Sequence, residues 1–533
     1  MDCRSTSIST RARGHSRHIG RYRQIALVLV KHRLKNVIQT LGLEGFLPLR
    51  WMPPGNPFSR ENYPQPVRMR MALEELGTTF VKLGQILSTR VDLLPSDFVS
   101  ELSKLQSSLH PIPLEAVHRV VREELGRPVD QVYASFSEQP LGVASIGQAH
   151  AATLHDGTEV VVKVRKPGVV EQVNEDVAVL RQLAVVAAKR WEGAQEYDLA
   201  GIVKEIGEAL AAEMDYVREG HNAEHFARFF HGDSSIHIPK IYWEYTTSRV
   251  ITMERIQGIS TRDTHAMEEA SIDREDIAKR SVNIWLKMVF EDRVFHADPH
   301  PGNLFVEKDG RLGLIDFGMI GVVDDEIRQS LGGLIQALLG RDAEQLVDSL
   351  VDLGVMGPET SREQLRADIK HLLSHFPDLS VERLRSNLDL EEFLEVVRSN
   401  HMQLPGNTFL LLKTVIMAQS LGKVVDPNFD IVPSLQSHVA RLFRKKYSPV
   451  ALAKRMPRVG LDMMLLGMDL PRRINRVVKS MERGELKIRT DVSGLERHLE
   501  HLERLVNRLV IGLVLASVIL GLAIVVLAFK LSP

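Results

Sequence analysis

The sequence predicts an α+β protein with two lobes, an N-terminal helical extension, a helical second lobe and one C-terminal transmembrane helix. The first observation is a pair of hairpin signals, Asp156-Gly157 and Asp309-Gly310, each between short runs rich in apolar residues. Glycine tolerates the positive φ that such a tight turn needs. The second is the helical spacing of apolar residues over most of the remaining chain. The third is an uncharged run of 21 residues close to the C-terminus.

The composition narrows the class of protein. The chain of 533 residues is long enough for two or more domains, and its net charge of −1 gives no indication of a nucleic-acid partner. Cys3 is the only cysteine, which excludes a disulfide framework and a cysteine-based metal site. We therefore expect the folded body in a reducing compartment, the cytoplasm.

Residues 1–66 are interpreted as a basic, partly disordered N-terminal arm and a linker. The first 35 residues contain nine Lys or Arg and one acid. From Tyr22 to Leu43, apolar residues recur at helical spacing, which predicts an amphipathic helix. Such a helix could lie on an anionic membrane surface or pack on the body, and the sequence leaves both open. A stretch rich in Pro and Gly follows, up to Pro66.

Residues 67–125 predict a helical extension that carries an unusual polar motif. Lys82 and Gln85 are three residues apart, so they share one helix face. Gly84 between them costs helix stability by about 1 kcal/mol relative to Ala, which indicates a close approach of the backbone to a neighbouring group. Taken alone, Lys82 and Gln85 would indicate only an exposed polar face.

Residues 126–250 predict a β-rich first lobe in which a small-residue loop connects two strands. Lys163 lies in the Val-rich strand that follows the Asp156-Gly157 turn. Such a loop can cover the phosphates of ATP while the strand Lys pairs with the α- and β-phosphates. The loop is not Gly-rich, and Lys163 alone would suit the solvent side of a half-buried strand. The loop residues predicted to bind the nucleotide are Leu141, Gly142, Val143, Ala144, Ser145, Ile146, Gly147, Gln148 and Ala149.

Acidic residues later in the chain are predicted to provide the ion-pair partner of Lys163. Residues 169–230 have a strongly helical pattern that includes Glu213, Asp215 and Glu219. On a straight helix, Asp215 and Glu219 face one way, while Glu213 points to another side. One of these acids is expected to pair with Lys163, as a kinase's strand Lys pairs with a helix Glu.

Residues 251–445 predict the helical second lobe and a cluster of polar residues around its hairpin. Asp298 and Asn303 precede the hairpin, and Asp316 follows it in Asp-Phe-Gly. Folding the hairpin brings Asn303 and Asp316 to the same end of the ribbon. One Asp can then take or orient a hydroxyl proton, while the Asn and the other Asp hold Mg²⁺ against nucleotide phosphates. Consecutive amphipathic helices are predicted from Asp324 to Arg444.

The remaining chain is divided into a basic helical spacer, residues 446–508, and a transmembrane helix, residues 509–529. Residues 441–489 hold fourteen Lys or Arg against four acids. At about 1.5 Å per residue, the uncharged run spans the roughly 30 Å hydrocarbon core once. The basic residues upstream predict a cytoplasmic body, because positive charge is retained on that side of the membrane.

Together these motifs resemble the UbiB/AarF family of atypical, protein-kinase-like membrane proteins. The resemblance covers residues 67–445 and the C-terminal anchor of bacterial members. Its most specific part is K-x-G-Q, which ordinary protein kinases lack. The segments that carry it are Lys82-Leu83-Gly84-Gln85, Ala144-Ser145-Ile146-Gly147-Gln148, Lys163, Glu213-Met214-Asp215, the run from His296 to Asn303, and Asp316-Phe317-Gly318.

The resemblance implies a two-lobed kinase fold with the K-x-G-Q helices packed over the active site. It also implies binding of ATP with Mg²⁺, activity as an ATPase or small-molecule kinase, and a role in ubiquinone biosynthesis or lipid handling. The implied location is the bacterial inner membrane, with one span and a cytoplasmic catalytic body. The implied partners are the nucleotide, a lipid or quinone-precursor substrate, the membrane and quinone-biosynthesis enzymes, with no nucleic acid.

The same resemblance assigns roles to individual residues. Lys163 would bind the α- and β-phosphates, Glu219 would be its helix partner, and Asp298 would be the catalytic acid or base. Asn303 and Asp316 would hold Mg²⁺. The residues of the family-specific constellation beside the phosphates would be Lys82, Gln85, Glu213 and Asp215.

One departure from the family pattern and two alternative functions remain. Where the family has consecutive alanines, this chain has Gly142-Val143-Ala144; the Gly is expected to loosen the loop and Val143 to crowd it. The His-x-Asp-x-His-x-x-Asn pattern also suits a small-molecule phosphotransferase of the aminoglycoside- or choline-kinase type. A nucleotide-gated scaffold with little turnover is the other alternative.

Overall fold

The computed structural model describes residues 18–47, 63–88, 94–105, 111–190, 199–355, 360–375, 400, 402 and 406–446. The start of the basic arm, most of its linker, nearly all of the predicted spacer and the predicted transmembrane helix lie outside these residues. Among the residues that are described, no helix is both long and apolar enough to cross a membrane. Those up to Lys445 belong to one compact unit.

The N-terminal extension is built from short helices. The stretch from Val67 onward, predicted as one helical run, is divided at Gly77, whose φ of +99° a residue with a Cβ rarely adopts. The helices of the extension are α1 (Ile19–Lys31), α2 (Lys35–Leu41), α3 (Gln65–Leu76), α4 (Thr78–Leu87) and α5 (Ser96–Leu102).

The first lobe combines a four-stranded antiparallel sheet with helices. The sheet has the strand order β1-β2-β3-β5, and the predicted turn at Asp156-Gly157 joins β2 to β3. β5 ends at Glu254, so the sheet extends past the predicted lobe boundary at residue 250. The elements are α6 (Leu114–Leu125), α7 (Val129–Val132), β1 (Ser135–Val143), β2 (Gly147–Thr153), β3 (Glu159–Arg165), α8 (Val169–Arg190), α9 (Leu199–Glu213), α10 (Tyr216–Phe229), β4 (Ile236–His237) and β5 (Val250–Glu254).

The second lobe is mainly helical, as predicted, and also contains short strands. The elements are β6 (Gly258–Ser260), α11 (Thr264–Glu269), α12 (Arg274–Glu291), β7 (Val294–His296), β8 (Leu304–Glu307), β9 (Leu312–Leu314), β10 (Ile320–Val322), α13 (Asp325–Gly340), α14 (Ala343–Asp352), α15 (Arg362–His375), α16 (Gly406–Val425) and α17 (Val432–Lys446).

The two faces of the first sheet have different environments. Val160, Val162 and Val164 alternate along β3 and are fully buried in a cluster with the apolar side of α6. Successive residues of a strand point to opposite faces. Lys163 therefore projects from the other face, beside its cross-strand neighbour Ala149 on β2.

The predicted hairpin of the second lobe is confirmed. β8 and β9 pair antiparallel, and Gly310 in the connecting turn has a φ of +82°. The Ile315 N–H donates to the Asn303 carbonyl at 3.1 Å, so the two ends of the hairpin are adjacent. The chain segments that carry Asn303 and Asp316 consequently lie side by side.

The amphipathic stretch of the N-terminal arm packs on the body. It forms α1 and α2 instead of one helix, with Arg33 between them at a φ of +55°. The buried side of α1 shares an apolar cluster with residues of α3, α4, α5 and α8. Arg21 Nε lies 2.6 Å from Asp176 Oδ1 on α8, and the Asp176 side chain is completely buried. Of the two alternatives that the sequence left open, the structure shows packing on the body.

Candidate active site

Lys163 lies where β3, α10 and the Asp-Phe-Gly segment meet. Its Nζ is 2.5 Å from Glu219 Oε1 on α10 and 3.9 Å from Asp316 Oδ2. The Glu219 side chain is only 6% exposed, whereas that of Asp316 is 46% exposed. The ion pair is therefore shielded by protein, while the second carboxylate reaches solvent.

The charges of these three groups depend on one another. Burial opposes the charge on Lys163, but Asp316 and Glu219 raise its pKa to about 12. Burial raises the pKa of Glu219 against the pull of Lys163. Although part of the Asp316 side chain is exposed, the surrounding protein displaces water and opposes its charge, yet Lys163 and the Gly318 N–H lower the pKa of this carboxyl. Lys163 and Asp316 are therefore charged at neutral pH.

The acidic motif Glu213-x-Asp215 lies at a break between two helices. α9 ends at Glu213, and α10 begins at Tyr216. Asp215 caps α10, since its Oδ1 accepts the Val217 N–H at 3.1 Å. The prediction that Asp215 and Glu219 share a face of one straight helix was therefore wrong. A short carboxylate that can bond nearby backbone N–H groups favours a helix start over a helix interior.

The predicted catalytic and metal residues are connected by hydrogen bonds around the loop before β8. Asn303 Nδ2 lies 3.3 Å from both the backbone oxygen and Oδ2 of Asp298. His296 Nδ1 accepts the Asp298 N–H at 3.2 Å, and its Nε2 bonds the Asp316 carbonyl. His296 thus joins the loop that carries Asp298 to the Asp-Phe-Gly segment.

Lys82 of the K-x-G-Q motif extends from α4 toward the same place. Its Nζ lies 2.8 Å from Glu213 Oε2. Burial disfavours the charge on Lys82, but Glu213 raises its pKa, with further contributions from Asp298 and Asp316. The ammonium group is therefore charged and close enough to the predicted catalytic residues to interact with them.

The turn between β1 and β2 contacts both α4 and α9 through Ser145. Its hydroxyl donates to Glu213 Oε1 at 3.3 Å. Its carbonyl accepts a hydrogen bond from Thr78 Oγ1, at the start of α4, at 3.2 Å. The extension thus contacts the predicted nucleotide loop as well as the acidic motif.

Much of the predicted nucleotide loop is strand. Leu141 to Val143 continue β1, Gly147 to Ala149 begin β2, and only residues 144–146 connect them. Position 147 requires a glycine because neighbouring atoms occupy the space that a Cβ would need. A Cβ there would lie 2.3 Å from Tyr216 Oη and 2.7 Å from the Val164 carbonyl, which no side chain could accommodate.

Two residues predicted to lie beside the phosphates have side chains that bond elsewhere. Gln148 is on the face of β2 opposite Lys163, where its Oε1 accepts the Ile112 N–H at 2.9 Å. Gln85 Nε2 donates to the Leu105 carbonyl at 3.0 Å, within the extension. Strand alternation contained the information for Gln148, because its neighbour Ala149 is the residue paired with Lys163.

Two polar residues around the site, Thr78 and Asn222, were not identified from the sequence, and a third, His300, was named only as part of the His-x-Asp-x-His-x-x-Asn pattern. Thr78 bonds the Ser145 carbonyl, as described above. Asn222 Nδ2 donates to the Phe317 carbonyl at 2.8 Å, and both residues are buried. His300 Nδ1 accepts the Gly302 N–H at 3.0 Å and caps the short 3₁₀ turn before β8. The available signal was spacing: Asn222 lies three residues after Glu219 on the same helix.

The chemistry of Asn303 and Asp316 fits Mg²⁺. Magnesium takes oxygen ligands, commonly one or two carboxylates together with nucleotide phosphates and waters. The Asn303 amide uses its NH₂ group toward Asp298, which leaves its carbonyl oxygen as a ligand. Asp316 is partly exposed, and its lowered pKa keeps it ionised.

Comparison with known proteins gives consistent matches to kinase-like proteins. Residues 104–350 match the ABC1 atypical kinase-like domain, and residues 493–531 match the ABC1/UbiB kinase-like C-terminal domain. A "Probable protein kinase UbiB" of Xylella fastidiosa (strain 9a5c) is 32% identical over 518 residues, covering 94% of this chain and 93% of that protein. An "Uncharacterized protein sll1770" of Synechocystis is 32% identical over 438 residues, covering 81% and 75%.

A solved structure of Rv3197 with erythromycin, from Mycobacterium tuberculosis, is also similar. It has a TM-score of 0.48 at 24% sequence identity, and the match covers 71% of this chain and 94% of that one.

Proposed function

Because the chain belongs to the UbiB/AarF family of atypical, protein-kinase-like proteins, we propose that it binds Mg-ATP and acts as an ATPase or small-molecule kinase at a membrane. One observation supports this more than any other: Lys163 Nζ lies 2.5 Å from a buried Glu219 and 3.9 Å from a partly exposed Asp316. A charged Lys fixed by a helix Glu beside an Asp-Phe-Gly carboxylate is the arrangement with which protein kinases bind nucleotide phosphates.

In this proposal Lys163 binds the α- and β-phosphates through charge-assisted hydrogen bonds. Glu219 holds the Lys163 ammonium in place, so that little side-chain entropy is lost when the nucleotide binds. Asn303 and Asp316 would hold Mg²⁺, which when bound neutralises charge on the phosphates. The turn of residues 144–146, restrained by Thr78 and Glu213 at Ser145, would cover the phosphates.

Asp298 is the proposed acid or base. The N–H groups of the Asn303 amide contact its backbone oxygen and Oδ2, and His296 holds its backbone N–H. These contacts hold the Asp298 backbone and its Oδ2 in place. Asp298 would accept a hydrogen bond from the attacking hydroxyl group or water and orient it toward the terminal phosphate.

We place the acceptor among lipids or quinone precursors, or water in the case of an ATPase. The support is the family, whose similar members include proteins named as probable UbiB kinases, together with the uncharged run at residues 509–529. The proposed role is in ubiquinone biosynthesis or membrane lipid handling at the bacterial inner membrane, in contact with quinone-biosynthesis enzymes.

Two substitutions test this function. Lys163→Ala should weaken Mg-ATP binding at least a few-fold, because a charge-assisted hydrogen bond contributes roughly 1 kcal/mol or more. Asp298→Asn should keep binding but lose most ATP turnover. Thermal shift with and without Mg-ATP measures the first effect, and phosphate release measures the second. Lys204→Ala is a suitable control, since Lys204 pairs with Glu208 on an exposed face of α9.

An unchanged ATP-induced shift in Lys163→Ala would remove Lys163 from the site and contradict the proposal. Full complementation of a deletion strain by Asp298→Asn, with turnover lost, would favour the scaffold alternative over an enzyme.

A further inference from the structure

One face of α10 contacts the Asp-Phe-Gly segment in three different ways. Burial raises the pKa of Glu219, and both Lys163, its ion-pair partner, and the Phe317 N–H act against that rise. Three residues later, Asn222 Nδ2 donates to the Phe317 carbonyl at 2.8 Å. One turn further, the Phe226 ring lies 6.0 Å from the Phe317 ring. Residues at this spacing share one side of a helix, so this side of α10 contacts both the backbone and the ring of Phe317.

These contacts leave the Phe317 backbone little freedom. The Phe317 side chain is fully buried, and Asn222 is 9% exposed. A buried carbonyl that loses its donor bears the full desolvation cost of an unsatisfied polar group. Rotation of the peptide group that carries the Phe317 carbonyl would break the bond to Asn222.

The neighbouring residues make the orientation of Asp316 depend on this restraint. The Asp316 carbonyl is bonded by His296, and its own Oδ1 accepts the Gly318 N–H at 2.9 Å. Asp316 therefore lies in a short segment whose polar backbone atoms are fixed on both sides. The Asn222 side chain is an uncharged amide, so it has no charge with which to attract a metal or a phosphate.

We propose that Asn222 is a positioning residue for the metal site: by holding the Phe317 carbonyl, it keeps the Asp316 carboxylate directed toward Mg²⁺. This inference rests on the proposed function, in which Asp316 is a magnesium ligand. Residues that orient metal ligands typically contribute about 10–100-fold to metal affinity. Asn222 itself touches neither the nucleotide nor the metal.

The test uses Asn222→Asp and Asn222→Leu in the full-length protein in detergent. A fluorescent, non-hydrolysable ATP analogue is held at a fixed concentration, and Mg²⁺ is titrated. We expect the half-saturating Mg²⁺ concentration to rise about tenfold in Asn222→Leu, which lacks the donor. The rise should be larger in Asn222→Asp, because its carboxylate would repel the Phe317 carbonyl. At saturating Mg²⁺ both variants should bind the analogue to the wild-type level, since Lys163 and the loop are untouched.

The relative size of the increase in half-saturating Mg²⁺ concentration in the two variants distinguishes a positioning role of Asn222 from a packing role. Asp has almost the shape of Asn, so a role in packing alone would make Asn222→Asp the milder change. Asn283 on α12 provides the matched control. It is partly buried and bonded to His438 at 3.2 Å, outside the site, and Asn283→Asp should leave the Mg²⁺ titration unchanged.

Each result bears on the proposal. Wild-type Mg²⁺ dependence in either folded Asn222 variant, or a milder effect in Asn222→Asp than in Asn222→Leu, would overturn it. If Asn222→Leu does not fold, the isosteric Asn222→Asp alone decides through its Mg²⁺ titration. Absence of analogue binding by the wild-type protein at any Mg²⁺ concentration would overturn the proposed function and this inference together. Normal wild-type binding with insensitive variants would overturn the inference alone.

Discussion

At the scale of single residues, Gly84 sets how closely α4 packs. A Cβ at this position would lie 2.2 Å from Leu105 Cδ1 and 2.8 Å from Leu73 Cδ1, and both leucines are buried. Gly84→Ala gains about 1 kcal/mol of helix propensity but overpacks the contact, which typically costs about 1–3 kcal/mol. We expect Gly84→Ala to lower the free energy of unfolding by about 1 kcal/mol in urea denaturation.

Gly142 provides the control for this substitution. No atom lies within 4 Å of a Cβ built there, and Gly142 is not among the glycines with positive φ. Gly142→Ala should therefore leave the unfolding free energy within about 0.5 kcal/mol or raise it slightly, because Ala restricts the unfolded chain. Equal stability of the two variants would show that Gly84 is not tightly packed. In a Leu105→Ala background, the cost of Gly84→Ala should shrink.

At the scale of elements, α4 is held over the site by two contacts, one at its first residue and one near its middle. Thr78 bonds the Ser145 carbonyl, and Lys82 pairs with Glu213. The side chains of Lys82 and Glu213 are only 16% and 24% exposed, so solvent screens their attraction less than that of a surface pair. The Lys82–Glu213 pair therefore couples the extension to the acidic motif beside the proposed phosphate site.

We expect Lys82→Ala to remove function in cells while leaving the fold intact. A double-mutant cycle with Glu213→Ala should give a coupling energy of about 0.5–3 kcal/mol, as for residues in contact. Stability and ATP turnover of the purified variants supply the cycle, and complementation of a deletion strain supplies the cellular readout. The control is Lys204→Ala with Glu208→Ala, an exposed pair for which coupling should be near the lower limit.

Full complementation and unaltered ATP turnover by Lys82→Ala would contradict this role. Lys82 would then be a charged helix residue without a part in the activity.

The sequence predicted those elements whose signals are local. The Gly157 and Gly310 turns, the Val-rich strand around Lys163 and the helical second lobe all follow from patterns within about ten residues. Contacts between distant segments could not be predicted in this way. The spacing from Glu219 places Asn222 on the same helix face, but it does not indicate that the Asn222 amide would meet Phe317, 95 residues later.

The errors have the same origin. The helical pattern across residues 169–230 contained no breaker strong enough to show that Asp215 would cap a new helix. Gln148 was predicted to bind the nucleotide because it lies in the small-residue loop segment, whereas register with β3 places its side chain on the face opposite Lys163. The local sequence pattern predicts whether a segment is a helix or a strand. Which residues its side chains contact depends on how the helices and strands pack together.

At the scale of the whole molecule, the packing of α1 bears on how the protein would reach a membrane. The apolar side of α1 lies in the cluster formed with α3, α4, α5 and α8. Arg21 also bonds the buried Asp176 carboxylate and the Leu76 carbonyl. Detaching α1 would break this ion pair and expose the apolar cluster that α1 covers to water. The N-terminal helix is therefore a poor candidate for the main membrane anchor. We predict that residues 509–529 form that anchor.

We expect truncation after Arg508 to release most of the protein from membranes into the supernatant, measured by fractionation and immunoblotting. The removed segment has 21 consecutive uncharged residues, enough to span a bilayer once at about 1.5 Å per residue. The basic residues upstream favour a cytoplasmic body, so a reporter active only in the periplasm should be active when fused after Pro533. A high-salt wash of the truncated protein is the control, because it weakens electrostatic binding of basic segments to anionic lipids. Truncated protein that stays membrane-bound through this wash would show that another surface is the main anchor.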